Sequence, residues 1–338
     1  MNQIHAIGID LAKSVFQVCA FDEYGKKLLN KALRRNQVLK FLANIEPCLV
    51  GMEACGSAHY WAREIKKLGH KVRLMPPQYV KPYVKTNKND SADAEAICEA
   101  VSRPTMRFVT VKSEEQQALL LLHRERDGVV RDRTSLINRI RASLHEFGIS
   151  IPAGRFRLRK WFREDFGVLE SKIPSMLLNH IKLMHTRLVD IEAYLEELDR
   201  QIDSASRKSE QCKKVQEIPG VGRLTSSALV ASIGDAKEFK SGRQLSAWLG
   251  LVPSQHSSGG KALLLGISKR GDAYLRRMFI HGARAVIRHT KEGKPFHEWI
   301  MALLKRMHKN KVIVALANKL VRIAWAILAK QSQYCATI

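Results

Sequence analysis

No two of the six cysteines (Cys19, Cys48, Cys55, Cys98, Cys212, Cys335) stand in a Cys-x-x-Cys pair, which argues against a zinc ribbon or a disulfide framework and implies a reducing compartment. No uninterrupted apolar run is long enough to span a membrane. The most apolar stretch, Val312 to Leu328, is broken by Asn318, Lys319 and Arg322, so a buried helix of a soluble protein is expected there. Internal repeats and low-complexity tracts are absent. No N-terminal signal is expected either, because Met1 leads almost at once into a strand-like segment, and the expected location is cytoplasmic. Acidic residues are scarce: 32 Asp and Glu stand against 57 Lys and Arg, a formal charge of +25. Such an excess calls for a polyanionic partner, a nucleic acid or a membrane surface.

The charge is unevenly placed. Residues 1–112 carry 18 basic and 10 acidic side chains, residues 113–205 carry 15 of each, and residues 206–338 carry 24 and 7. The C-terminal third is thus the expected phosphate-gripping surface, since each Lys or Arg on a phosphate releases counterions.

Three domains are expected. In residues 1–112, Ile4 to Ile9, Val15 to Phe21 and Lys27 to Ala32 read as strands, with Asp22-Glu23-Tyr24-Gly25 as a hairpin turn. A helix near Asn36 to Ala43, a strand at Cys48 to Met52, a helix from Ser57 to Leu68 and a strand at Lys71 to Leu74 follow. A meander followed by alternating helix and strand is the order of an α/β RNase H-like (RuvC-like) sheet. Residues 113–205 are expected to be helical, from Ser113, in capping-box spacing with Gln116, to Gly148. Ile181, Met184, Leu188, Ile191, Leu195, Leu198 and Ile202 then recur at intervals of three and four, the seam of a coiled-coil linker or assembly arm. Residues 206–338 read as a mainly α domain with glycine loops.

Four carboxylates are expected to converge. Asp10 ends the first strand and Glu53 closes another; if those strands are neighbours, the two meet at one sheet edge. Asp90 and Asp93, three apart at a helix start, face the same way. Such a cluster is costly unless divalent cations neutralise it, and oxygen-only ligands suit Mg²⁺ or Mn²⁺. Two cations about 4 Å apart clamp the attacking and leaving oxygens of a phosphodiester displacement. Taken singly, Asp90 reads equally as a helix cap and Asp93 as a first-turn acid.

Two glycine loops stand out in the basic third. Ile218-Pro219-Gly220-Val221-Gly222, ahead of Leu224 to Val230, resembles the hairpin of helix-hairpin-helix DNA binders, whose turn offers backbone N–H groups to phosphate; a plain turn is the alternative. In Ser257-Ser258-Gly259-Gly260-Lys261, glycines would let a scissile phosphate approach a serine hydroxyl, and Lys261, Lys269, Arg270, Arg276 and Arg277 could neutralise it. By itself, Ser-Gly-Gly also suits a flexible linker.

Gly-Ile-Asp10-Leu-Ala-Lys, Met-Glu53-Ala-Cys-Gly, Lys-Asn-Asp90-Ser-Ala-Asp93-Ala, Ile-Pro-Gly-Val-Gly, Ala-Trp-Leu-Gly-Leu-Val-Pro253 and Ser258-Gly stand in one order across nearly the whole chain. In that order they resemble the DEDD transposases of insertion-sequence family one-hundred-ten. The resemblance implies a RuvC-like N-terminal domain, a coiled-coil linker and a C-terminal transposase domain. It also implies a homo-oligomer (dimer or tetramer) that recombines DNA under the guidance of a structured bridge RNA. By position, Asp10, Glu53, Asp90 and Asp93 match the metal-binding quartet and Ser258 the nucleophile. The chain departs from the family's frequent Ser-Gly-Ser-Ser in reading Ser-Gly-Gly-Lys with a second serine upstream, so Ser257 is the alternative hydroxyl.

Three rivals are weighed. A RuvC-like nuclease or junction resolvase would cut by hydrolysis and leave free ends without a protein adduct. A sugar-kinase or actin-like ATPase would share Gly-Ile-Asp-Leu-Ala-Lys-Ser but needs an Asp-x-Gly-Gly segment that the sequence lacks. A non-catalytic nucleic-acid-binding protein would be indifferent to loss of the carboxylates.

Overall fold

The computed structural model describes residues 3–85 and 89–335, without the side chains of Val168, Glu170 and Ala262. The chain packs as two units, one of Met1–Glu114 with Ile233–Glu238, the other of Glu115–Ser232 with Phe239–Ile338.

In the first unit, strands β1 (Ala6–Asp10), β2 (Val15–Phe21) and β3 (Lys27–Arg34) form the expected antiparallel meander. The β2–β3 turn is held by Asp22, whose carboxylate accepts from the N–H groups of Tyr24 (3.0 Å) and Lys26 (2.8 Å), and Gly25 takes the left-handed φ of +80°. The chain continues through α1 (Val38–Ala43), β4 (Leu49–Glu53), α2 (Ala58–Lys67), β5 (Lys71–Met75), the short α3 (Pro77–Val80) and α4 (Asp90–Val101). Sheet order is β3-β2-β1-β4-β5, with β4 parallel to both β1 and β5.

Strand alternation sorts the two faces. Ile7, Ile9, Phe16 and Val18 pack with Trp61 and Ile65 of α2, whereas Ala6 and Cys19 pack with Ala94, Ile97, Cys98 and Val101 of α4. That sorting decides where the carboxylates go.

The second unit contains α5 (Glu114–His145), α6 (Arg155–Glu164), α7 (Ser175–Lys208), α8 (Glu210–Gln216), α9 (Arg223–Ile233) and α10 (Gly242–Trp248). A hairpin of β6 (Pro253–Ser258) and β7 (Lys261–Ile267) precedes α11 (Ala273–His289), α12 (His297–Leu304) and α13 (Lys309–Lys330). Helix α13 is long and apolar enough to cross a membrane. It packs instead against α10 and α11, burying Val312, Leu316, Leu320, Ala324 and Ile327.

The heptad residues of α7 are spent inside the chain. Ile181, Met184 and Leu188 pack against Leu136, Ile137, Ile140 and Leu144 of α5 and Leu158 and Phe162 of α6, while Leu195 and Leu198 meet Val129. Residue numbers fall along α7 as they rise along α5, so the pair is antiparallel, clamped by Arg126 Nε donating to Asp199 at 2.5 Å. The expected assembly seam is therefore an intramolecular core. Heptad periodicity reports a buried stripe without saying whose helix covers it.

The hairpin is a second departure, because glycine loops between helices were expected. Pro253 to Ser258 is polar and largely exposed, with no apolar alternation to betray a strand.

Candidate active site

Gly8 of β1 and Gly51 of β4 are direct partners in the parallel ladder. A Cβ on Gly8 would lie 2.4 Å from the Ala94 carbonyl oxygen and the Cys98 nitrogen, and one on Gly51 would lie 2.7 Å from Val101 Cβ. The two glycines thus form a flat shelf on which α4 lies against the sheet. Two residues further along each strand, on the same face, come Asp10 and Glu53.

Helix α4 brings the other pair. Asn89 is its N-cap, accepting from Ala92 N–H at 2.8 Å, so Asp90 and Asp93 fall in the first turn, where the positive helix end favours carboxylates. The helix is tied down by Asn30 donating to Ser91 Oγ (2.8 Å), Lys27 to Glu95 (2.6 Å) and Lys85 to Glu99 (2.9 Å).

Carboxylate oxygens of Asp10, Asp90 and Asp93 all lie within 4.8 Å of one another. Glu53 stands beside this trio at the end of the adjacent strand and outside that distance. Its charge and that of Asp10 are both felt by Cys55, whose thiol is pushed up first by burial and then by these two carboxylates. Among the described residues, no Lys or Arg pairs with Asp90 or Asp93. Three crowded carboxylates offering only oxygen fit a hard divalent cation, whose charge would relieve their repulsion.

The expected nucleophile lies in the hairpin. Gly259 (φ +55°) and Gly260 (φ +76°) make a two-residue turn of the type that needs positive φ at both positions, and Ser258 pairs with Lys261 across it. Pairing and alternation place His256, Ser258, Lys261 and Leu263 on one face, Gln255 and Ser257 on the other. Gln255 donates to Ser257 Oγ at 2.7 Å. Among the described residues, no hydrogen bond engages the Ser258 hydroxyl. Reading these residues as a loop missed His256, which only strand pairing brings to the face of Ser258.

A sequence profile described as Transposase IS116/IS110/IS902 family matches residues 212–298, and the DEDD transposase profile of the IS110 group matches residues 7–149. The chain is 48% identical over 330 residues to a "Probable family 20 transposase" of Pseudomonas aeruginosa, covering 97% of this chain and 98% of that one. It is 42% identical over 338 residues to the transposase of insertion sequence element IS1111A of Coxiella burnetii (99% and 92% covered). To that of IS1328 of Yersinia enterocolitica it is 43% identical over 328 residues (97% of each covered). The chain belongs to the IS110 family of transposases.

As an IS110-family transposase it cuts and rejoins DNA, and the remaining expected contact residues sort by their surroundings. Gly259, Gly260, Lys261, Lys269 and Arg270 are exposed. Gly222 is exposed, with space around its Cα. Gly220 (φ +86°) packs on α11, where a Cβ on Gly282 would meet its carbonyl oxygen at 2.0 Å. Arg276 donates to the carbonyls of Leu249 (3.0 Å) and Arg270 (3.2 Å), buttressing the 268–271 loop. Arg277 pairs with Asp127 and lies over the Tyr274 ring. The transposase also has a groove between α5 and α11, lined by Arg131, Asn138, Arg139 and His281, which only the packing of the two helices reveals.

Proposed function

We propose that this IS110-family transposase recombines DNA by transesterification, using Ser258 as nucleophile and Asp10, Glu53, Asp90 and Asp93 to hold Mg²⁺ or Mn²⁺. The meeting of Asp10, Asp90 and Asp93 within 4.8 Å carries the reading. Bound there, a divalent cation supplies charge stabilisation for the oxyanions of a phosphodiester. The fold assignment is RNase H-like (RuvC-like) for residues 1–112, with a helical arm over 113–205 and the serine-bearing domain over 206–338. A bridge RNA from the element's own non-coding end directs the choice of DNA, and the protein acts in the cytoplasm as a homo-oligomer.

The chemistry balances without an external energy source. The Ser258 oxygen forms a bond to phosphorus as its proton passes to the His256 imidazole on the same hairpin face, the bond from phosphorus to the leaving sugar oxygen breaks, and that oxygen takes up a proton in turn. A sugar hydroxyl from the exchanged strand then attacks the phosphoserine, and the serine recovers its proton. Lys261, Lys269 and Arg270 hold the phosphate, and Gly259 and Gly260 let it come close to the backbone.

Trapping the reaction with denaturant and mapping the modified peptide tests this directly. A phosphoserine–DNA bond at Ser258, lost in Ser258→Ala and kept in Ser257→Ala, is the expected result. Free ends without any adduct in an active reaction would replace it with hydrolysis by a RuvC-like nuclease.

A further inference from the structure

On the α2 side of the sheet in the first unit, an open groove of about 700 Å³ runs beside the β1–β2 turn. Its polar rim is Lys13, Arg34 and Arg35, all exposed. Among the described residues, no carboxylate pairs with the three rim cations.

The arrangement around them is built. Arg35 donates its backbone N–H to the Ser14 carbonyl at 2.9 Å, tying the rim to the turn that follows Asp10. Its guanidinium lies 5.0 Å from the Trp61 ring and 5.8 Å from that of Phe16. Tyr60 stands edge-on to Trp61 at 5.5 Å and remains 43% exposed. Trp61 itself is 4% exposed, and its buried indole N–H has no acceptor among the described residues. A buried donor left unpaired is costly.

We infer that this groove is a binding subsite for single-stranded DNA, with phosphates on Lys13, Arg34 and Arg35 and a base stacked on Tyr60. Unpaired cations beside an exposed aromatic ring are the combination that holds a single strand; a duplex keeps its base faces stacked within itself. DNA is the strand assigned because it is the substrate of the family, and because the groove borders the turn leading from Asp10. The inference rests on the action of the family on DNA and is independent of the serine.

The test uses the full-length protein in EDTA, so that cleavage cannot intervene, with a short oligodeoxynucleotide carrying 5-iododeoxyuridine. Irradiation should crosslink it to the peptide containing Tyr60. Tyr60→Ala should lower capture at this peptide about 5- to 150-fold, while Tyr60→Phe keeps it. For capture at this peptide, Lys13→Gln should flatten the dependence of log affinity on log salt by about 0.7. Circular dichroism checks that each variant is folded. Capture of the DNA at least as strong as that of an RNA of the same sequence supports the inference. Stronger capture of the RNA, equal capture of a duplex, crosslinks confined to other segments, or unchanged capture in folded Tyr60→Ala overturns it. Such a failure leaves the carboxylate and serine assignments standing, since those are read from cleavage and the covalent adduct.

Discussion

Gly8 and Gly51 sit side by side in the β1–β4 ladder, each turning its missing side chain toward α4. That contact sets how close the first turn of α4, with Asp90 and Asp93, comes to Asp10. Gly8→Ala would drive a methyl into the backbone of Ala94 and Cys98, so α4 must shift. A loss of about 1–3 kcal/mol in urea unfolding is expected, with weaker Mn²⁺ binding by calorimetry. Gly56→Ala, with nothing within 4 Å of the added atom, serves as the neutral control.

Asp93→Asn removes one charge from a crowded trio, so the metal-free protein should melt at the same temperature or higher. Strand cleavage should nevertheless fall by about 10²-fold or more, as when charge stabilisation is removed from a phosphoryl or acyl transfer site. Equal cleavage by the variant and the parent would take the quartet out of the mechanism.

Stability should weaken in mild acid because of His123 on α5. Its ring bonds Tyr274 Oη at 3.1 Å and Ser227 Oγ at 3.0 Å, and burial, with Arg126 nearby, lowers its pKa from the ordinary 6.5 to about 4. The folded state therefore binds this proton less readily than the unfolded chain. Its contribution is complete above pH 6.5 and is lost as pH falls toward 4, up to roughly 3 kcal/mol. Urea unfolding at pH 7.5, 6 and 4.5 should show the decline, and His123→Gln should flatten it.

Guidance by RNA is open to a direct measurement. Protein purified from cells carrying its own element should retain one specific transcript of the non-coding end, identified by sequencing. Only bulk cellular RNA, with full recombination after exhaustive RNase treatment, would contradict the proposal.

Mixing Asp93→Asn protein with Ser258→Ala protein asks whether one protomer's carboxylates serve another's serine. Under the proposed mechanism, in which each variant lacks one half of the site, partial return of strand cleavage is the expected result. Demonstrated mixed oligomers that cut nothing would confine the site to one chain. Within one chain the α7 seam is covered by α5 and α6.

Local sequence determined the meander, the α/β alternation of the first unit and the positions of Asp10, Asp90 and Asp93. Strand alternation, the Asp22–Gly25 turn and the Asn89 cap are short-range effects that a sequence displays openly. The order of motifs also carried the family. Tertiary structure alone decided which helix covers the α7 stripe, because Ile181 and Leu188 have the same spacing whether their partner is α5 or another molecule. It decided, too, that Gly8 and Gly51 are a packing shelf and that Arg276 is bonded to carbonyls. It turned Ser257 and Ser258 to opposite faces of a hairpin, since a polar strand without apolar alternation reveals itself only when Lys261 pairs back across the turn.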